Sequence, residues 1–408
     1  MSTTELSFQK SKAVVRMADF IAFVADRPTE QVLKSFVLEQ AMPHVHIVVG
    51  SIDDAIAYLS KIERSPLFLL VDLHGSVMPL SDLGRLAEVC EPSVQVIALG
   101  ERNDVGLFRS LLKLGIHDYL VKPLTVELLK RTINIGEGKV TPVIKSRAGK
   151  TVALAGTRGG VGVSTLAVNL ARHLAEETHR RVAYVDLNLH GGAANSMLGV
   201  ETNNGLTDVL QNVHRLDPQY VERTLVPKGS RLFILSAELA YGASMDVEKG
   251  ALARILELLC DSFHYVILDV GSRVDSLADE AFNHAARVYL VADRSVHSTR
   301  ETLRRLMYIE SRDNNPPTSL LLNNPNAVTA GKVQSSDFIA AVGRAVLHEV
   351  PFEAKVLAVA ENLGEQPKES RSGGHGFSHA ISRMAGDLTG QQPVVTRSLF
   401  QKLGVGKA

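Results

Sequence analysis

Tryptophan is absent from this 408-residue sequence, and cysteine occurs only twice, at Cys90 and Cys260. Two cysteines so far apart make neither a disulfide framework nor a zinc-ligand spacing. Both stand in apolar helical contexts and read as buried free thiols. No apolar run is long enough to span a bilayer, and the first residues lack the basic-then-apolar layout of a signal peptide. The cytoplasm is therefore the default expectation. An excess of either charge is missing too, because 44 lysines and arginines balance 44 aspartates and glutamates. No global basic surplus points to nucleic acid, and none is expected as a partner. What is present is ordinary for a folded chain, 45% hydrophobic and 22% charged, at a length that favours two domains.

Two α/β patterns follow one another. In the first, short apolar, β-branched runs at 20–25, 45–50, 67–71, 94–99 and 119–121 predict buried parallel strands. Helical patterns near 29–40, 53–61, 81–89, 105–114 and 125–135 alternate with them. This alternation predicts one doubly wound domain over residues 1–135. The stretch 136–149, GEGKVTPVIKSRAG, breaks the periodicity and reads as a linker. A second series over 150–392 has expected strands at 151–155, 181–185, 232–235, 265–268, 288–291 and 319–322, with helices that include 164–176, 249–259 and 299–311. Residues 393–408 form a weakly patterned tail.

A strand, a glycine-rich turn and a helix meet at Arg158-Gly159-Gly160-Val161-Gly162-Val163-Ser164-Thr165. Glycines let the backbone curl so that successive N–H groups converge on phosphate oxygens, and the helix N-terminus adds its dipole. The hydroxyl of Ser164 or Thr165 can join a magnesium shell around those phosphates. The lysine that normally precedes that hydroxyl is missing, and Val163 takes its place. A charge-assisted hydrogen bond contributes about 1.5–3 kcal/mol, so binding weakens by roughly one to two powers of ten. The greater loss falls on phosphoryl transfer, where that lysine stabilises developing charge. Arg158 can compensate through its guanidinium, or can be a solvated loop charge.

On these residues the second half resembles the deviant-Walker ATPases of the ParA and MinD type, whose loop reads Lys-Gly-Gly-x-Gly-Lys-Thr/Ser. The glycines and hydroxyl match, whereas Arg158 and Val163 replace the two lysines. The resemblance implies ATP and Mg2+ as ligands and a nucleotide-sandwich homodimer, with Arg158 as the residue reaching across it. Val185-Asp186-Leu187-Asn188 resembles the family's Val-Asp-x-Asp, with Asn188 where the water-activating acid stands. An amide cannot act as a general base. Tyr265-Val266-Ile267-Leu268-Asp269 resembles the Walker B strand, which implies Asp269 in the magnesium shell with Ser164 and Asp186, and Gly271 near the γ-phosphate. A lone strand-end aspartate is also a common cap. Leu320-Leu321-Leu322-Asn323 resembles the strand whose asparagine reads adenine, and Val350-Pro351-Phe352 the segment over the base. Asparagine after a strand is equally common turn chemistry.

The first half resembles a response-regulator receiver, a flavodoxin-like fold. Asp72 ends the third strand at the family's phosphoacceptor position, and Lys122-Pro123, expected to be cis, follows the fifth. The acidic pair is reduced to Asp26, its neighbour being Ala25, and the usual Thr/Ser stands as Gly100. Loss of one acid weakens a magnesium site. A docking or dimerisation role without phosphorylation is the expectation.

The combination resembles the TadZ/CpaE pilus-assembly proteins. It implies an ATP-binding scaffold for tight-adherence (Flp type IVb) pili, at the cell pole near the inner membrane, with slow or absent hydrolysis. Implied partners are the pilus secretion machinery and a polar marker protein. Rival readings are a cycling ParA/MinD-type ATPase that partitions or patterns, and a phosphorylation-gated regulator. Leu399, Phe400 and Leu403, beside Arg397 and Lys402, suggest a short amphipathic tail that touches membrane or stays frayed or docked.

Overall fold

A computed structural model describes residues 20–62, 65–133, 148–326, 331–367 and 376–390. The chain divides into two compact units, Met1–Ser146 and Arg147–Ala408. Most of the expected linker and all of the amphipathic tail lie outside the described residues.

In the first unit, β1 (Phe20–Val24), β2 (Val45–Val49), β3 (Phe68–Asp72), β4 (Gln95–Gly100) and β5 (Asp118–Val121) alternate with α1 (Arg27–Glu39), α2 (Ile52–Leu59), α3 (Pro79–Val89), α4 (Val105–Lys113) and α5 (Val126–Ile133). The strands form one parallel sheet in the order β2-β1-β3-β4-β5, the flavodoxin-like winding. Alternate residues of β1 point into separate cores, Ile21 and Phe23 to one face and Phe20 and Ala22 to the other. A sheet covered on both faces explains why its strands read as continuous apolar runs. Asp26 caps α1 by accepting from Thr29 N at 2.8 Å, which holds the residue at the carboxyl end of β1.

The second unit begins with β6 (Lys150–Gly156), α6 (Val163–Glu176), β7 (Val182–Asp186), α7 (Ala194–Leu198), α8 (Gly205–Gln211), α9 (Pro218–Thr224), β8 (Val226–Lys228) and β9 (Leu232–Leu235). It continues through α10 (Ala251–Ser262), β10 (Tyr265–Gly271), α11 (Ser276–His284), β11 (Arg287–Ala292), α12 (Val296–Glu310) and β12 (Thr318–Asn323). It closes with α13 (Ser335–Val342), β13 (Val346–Val350), α14 (Ala354–Leu363) and α15 (Phe377–Thr389). The eight-stranded sheet runs β13-β12-β11-β6-β10-β7-β9-β8, parallel except for the β8–β9 pair. Apolar cores cover both faces.

Strands β8 and β13 and the seven helices α7–α9, α11 and α13–α15 are not among the elements expected from the sequence pattern. Of the two cysteines expected to be buried thiols, Cys90 is buried, but Cys260 is only partly covered, facing Thr151 Oγ1 at 3.4 Å. Burial still pushes its thiol pKa up.

Helix α6 is the central strut. Leu166, Leu170 and Leu174 recur at helical spacing and are buried in one core. On the same helix the buried Arg172 donates to the carbonyls of Met197, Gly364 and Glu365. One guanidinium thereby satisfies terminal carbonyls of both α7 and α14. Among the described residues, no helix is long and apolar enough to cross a membrane.

Candidate functional site

At the carboxyl end of the eight-stranded sheet, the turn after β6 and the start of α6 open onto a cavity of about 580 Å³. This is the edge of an open α/β sheet where ligands settle. Gly160 (φ 75°) and Gly162 (φ 96°) are left-handed, so the backbone turns sharply there. A methyl group on Gly162 would also run into the Asn323 amide. Asn323 donates from Nδ2 to the carbonyl of Val161 at 2.8 Å, which pins the loop. The asparagine expected at a base edge therefore lines the cavity while spending its amide N–H on the loop.

The cavity gathers most of the residues singled out from sequence: Arg158 through Thr165, Asp186, Asn188, Asp269, Gly271, Asn323, Pro351 and Phe352. Val163 does not point a substitute group toward phosphate. Its side chain is buried beside Val161 in the α6 core. A Cβ on Gly156 would meet Val163 Cγ2 at 2.7 Å and Val161 Cγ1 at 2.8 Å, so glycine is required under the loop.

Arg158 bonds to the carboxylate of Asp293 and donates to the Gly159 carbonyl at 3.0 Å. Ser295 Oγ donates to the other Asp293 oxygen at 2.7 Å. Burial pushes the Asp293 pKa up, but Arg158 and the two serines Ser295 and Ser298 outweigh it, and the net shift is downward. Asp293 is not among the residues expected from the sequence; its available signal is its place directly after the apolar strand β11.

Asp186 and Asp269 stand opposite each other on the paired strands β7 and β10. Both are buried. Asp186 accepts from Asn188 N at 3.0 Å. Asp269 accepts from the Tyr184 hydroxyl at 2.8 Å and from Gly271 N at 3.1 Å, and it is also bonded by Ser164. Burial, reinforced by the neighbouring Asp269, pushes Asp186 up to about 7. Burial raises Asp269 as well. A pair of carboxyls crowded in this way favours a cation between them or a retained proton. Gly192 lies so close over Asp186 that a Cβ there would meet Asp186 Oδ1 at 2.8 Å.

Among the described residues, no group of three or more His, Cys, Asp or Glu side chains could hold a metal by itself. The donor set suits magnesium only jointly with phosphate oxygens, since two carboxylates and a hydroxyl leave much of a six-oxygen shell to other ligands. Asn188 is exposed, with its Nδ2 donating to the Gly191 carbonyl at 3.2 Å.

In the first unit, Asp26, Asp72 and Lys122 do meet. Lys122 Nζ lies 2.5 Å from Asp26 and 2.6 Å from Asp72. Asp72 also accepts from Ala25 N and His74 N, both at 3.0 Å. The ammonium thus already sits between the two acids. Its hydrogen bond is the largest cause holding Asp26 at about 2. Burial opposes the Lys122 charge, yet the two carboxylates outweigh it and raise the Lys122 pKa. The Lys122-Pro123 bond is cis. Beside Gly100 the Tyr119 ring fills the space a hydroxyl side chain would need, with Cε2 2.9 Å from a Cβ built there. The Tyr119 hydroxyl donates to the Arg102 carbonyl at 2.8 Å.

A family model described as an AAA domain matches residues 149–314. Among curated proteins, the septum site-determining protein MinD of Helicobacter pylori is 26% identical over 165 residues, covering 40% of this chain and 60% of that protein. The chromosome-partitioning ATPase Soj of Thermus thermophilus is 34% identical over 146 residues, 34% of this chain and 53% of its own. The chain thus spans little more than half the length of the curated relatives it matches. Among solved structures, a ParA family ATPase from Chlorobium tepidum aligns with TM-score 0.52 at 19% identity, over 58% of this chain and 98% of its own. A protein described as a CpaE2 pilus assembly protein from Sinorhizobium meliloti aligns with TM-score 0.27 at 28% identity, over 29% of this chain and 98% of its own.

Proposed function

From the ParA/MinD-type P-loop fold of the second unit, we propose that the chain is an ATP-binding localisation scaffold for tight-adherence pilus assembly, positioned at the cell pole. Its hydrolysis is slow or absent. The observation that carries this reading is the split character of the site. The left-handed glycine loop, Ser164, Asp186 and Asp269 converge on one cavity, while Val163 is turned into the core and Asn188 offers no base.

The loop amides would hold the phosphates of ATP, and Ser164, Asp186 and Asp269 the magnesium, which when bound neutralises phosphate charge. Asn323, Pro351 and Phe352 line the same cavity and would lie beside a base. Arg158 is held by Asp293 within the same chain. Its release toward a second copy's phosphates would couple nucleotide to homodimer formation. In the first unit Lys122 satisfies both acids, which supports a docking role without phosphorylation for this receiver-like fold. The pilus assignment rests on the pairing of such a unit with an Arg-Gly-Gly-Val-Gly-x-Ser-Thr loop.

Sedimentation of the full chain with and without ATP and Mg2+, alongside steady-state hydrolysis, tests the reading. ATP-dependent dimers with little turnover are expected. Rapid hydrolysis abolished by Asp269→Ala would instead make the chain a cycling ATPase. Loss of surface pili and of adherence in cells carrying Arg158→Ala tests the assembly role.

A further inference from the structure

The position that should supply a phosphate-binding cation does not, because Val163 is buried. Among the described residues that line the cavity, the positive charges are Arg158 and Arg273. Arg158 is held at one side by Asp293. Arg273 sits in the turn between β10 and α11, four residues beyond Asp269.

Its backbone is fixed from outside. Arg305 on α12 donates to the carbonyls of Ser272 and Arg273 at 2.7 and 2.8 Å. Its side chain is held more lightly. One guanidinium nitrogen meets Asp275, whose other oxygen caps α11 by accepting from Ala278 N at 3.0 Å. Among the described residues, the Arg273 Nε is buried and has no hydrogen-bond partner. That is an unusual state for a charged donor at the wall of a cavity and marks a bond left to be made.

We propose that Arg273 is the phosphate-binding cation of this site, replacing from the β10–α11 turn the lysine that Val163 has displaced. The ligand it serves is a nucleoside triphosphate. Its guanidinium would exchange the Asp275 carboxylate for phosphate oxygens, an exchange of one anion for another, with a fork suited to two hydrogen bonds. The assignment rests on the nucleotide-binding reading above.

Equilibrium titration of the full chain with fluorescent N-methylanthraniloyl ATP and ADP, each with Mg2+, decides it. Arg273→Ala should weaken ATP binding about 10- to 100-fold and ADP binding less. Arg273→Lys, which keeps charge without the fork, should fall between. Asp275→Asn keeps a helix cap and frees the arginine, and it should tighten ATP several-fold. Thermal unfolding of the apo variants separates lost structure from lost binding. If the wild type binds ATP and Arg273→Ala binds it equally well, or loses ATP and ADP alike, the assignment is overturned while the nucleotide site stands. If the wild type binds neither nucleotide, both fall.

Discussion

Replacing Asp186 with asparagine should make the second unit less sensitive to pH. Asp186 has its pKa raised from 3.8 to about 7, first by burial and then by Asp269. Between those values the folded state holds a proton that the unfolded chain has already released. Stability therefore falls as pH rises through this window and levels off above the folded-state pKa. The loss between pH 5 and pH 8 is on the order of a few kcal/mol. Asp186→Asn removes the titrating group, so the variant should gain on the wild type by about that amount over the same range. Urea unfolding of the full chain at pH 5, 6, 7 and 8 measures it, with the transition of the first unit as an internal reference. Parallel pH profiles for the two proteins would refute the reasoning, because the crowded carboxyl would then not be storing a proton. A companion measurement uses weakly buffered solution at pH 6, where addition of ATP and Mg2+ should release protons as the pair ionises. Asp186→Asn should release fewer.

Lys122→Met strips the cation from a fully buried Asp72 and should destabilise the first unit by roughly 3 kcal/mol, read from its urea midpoint. A cost below about 1 kcal/mol would mean the triad is not holding that end of the sheet. Gly162→Ala forces a side chain onto a φ of 96° and into Asn323. It should cost about 1–3 kcal/mol of stability and abolish nucleotide binding, measured by thermal shift with ATP. Asn188→Asp is exposed, so stability should stay within roughly 0.5 kcal/mol. Hydrolysis should rise toward the low end of the roughly 10²–10⁴-fold that a general base supplies, because Val163 remains. Unchanged turnover would show that the missing base is not what slows the site.

The parallel strands were legible because burial on both faces leaves continuous apolar runs. The glycine loop was legible because left-handed turns leave few alternatives. Strand β8 is three residues with Pro227 in the middle. In β13 the run is broken by His348, whose ring is buried against Asp387 at 2.5 Å. Neither pattern follows from local propensity. The helices left unread are short or lie beside long turns, and α15 is fixed by packing one face on α6. The site divides along the same line. Asp186 and Asp269 are each visible as strand ends, but their adjacency is a matter of register. Arg158 is visible, whereas its partner Asp293 lies 135 residues away. Arg273 left one trace, an arginine in the turn that follows a candidate metal aspartate.

Arg172 gives the P-loop helix a second attachment. Its single guanidinium holds Met197, Gly364 and Glu365, so the helix that begins under the glycine loop is bolted near its far end to the helix that begins beside the cavity at Ala354. Strain imposed on the loop has no free end through which to dissipate. In mechanical terms the arrangement is a closed frame with one corner pinned. Amide exchange at the carboxyl end of α14 would register occupancy of the cavity from the opposite end of that helix.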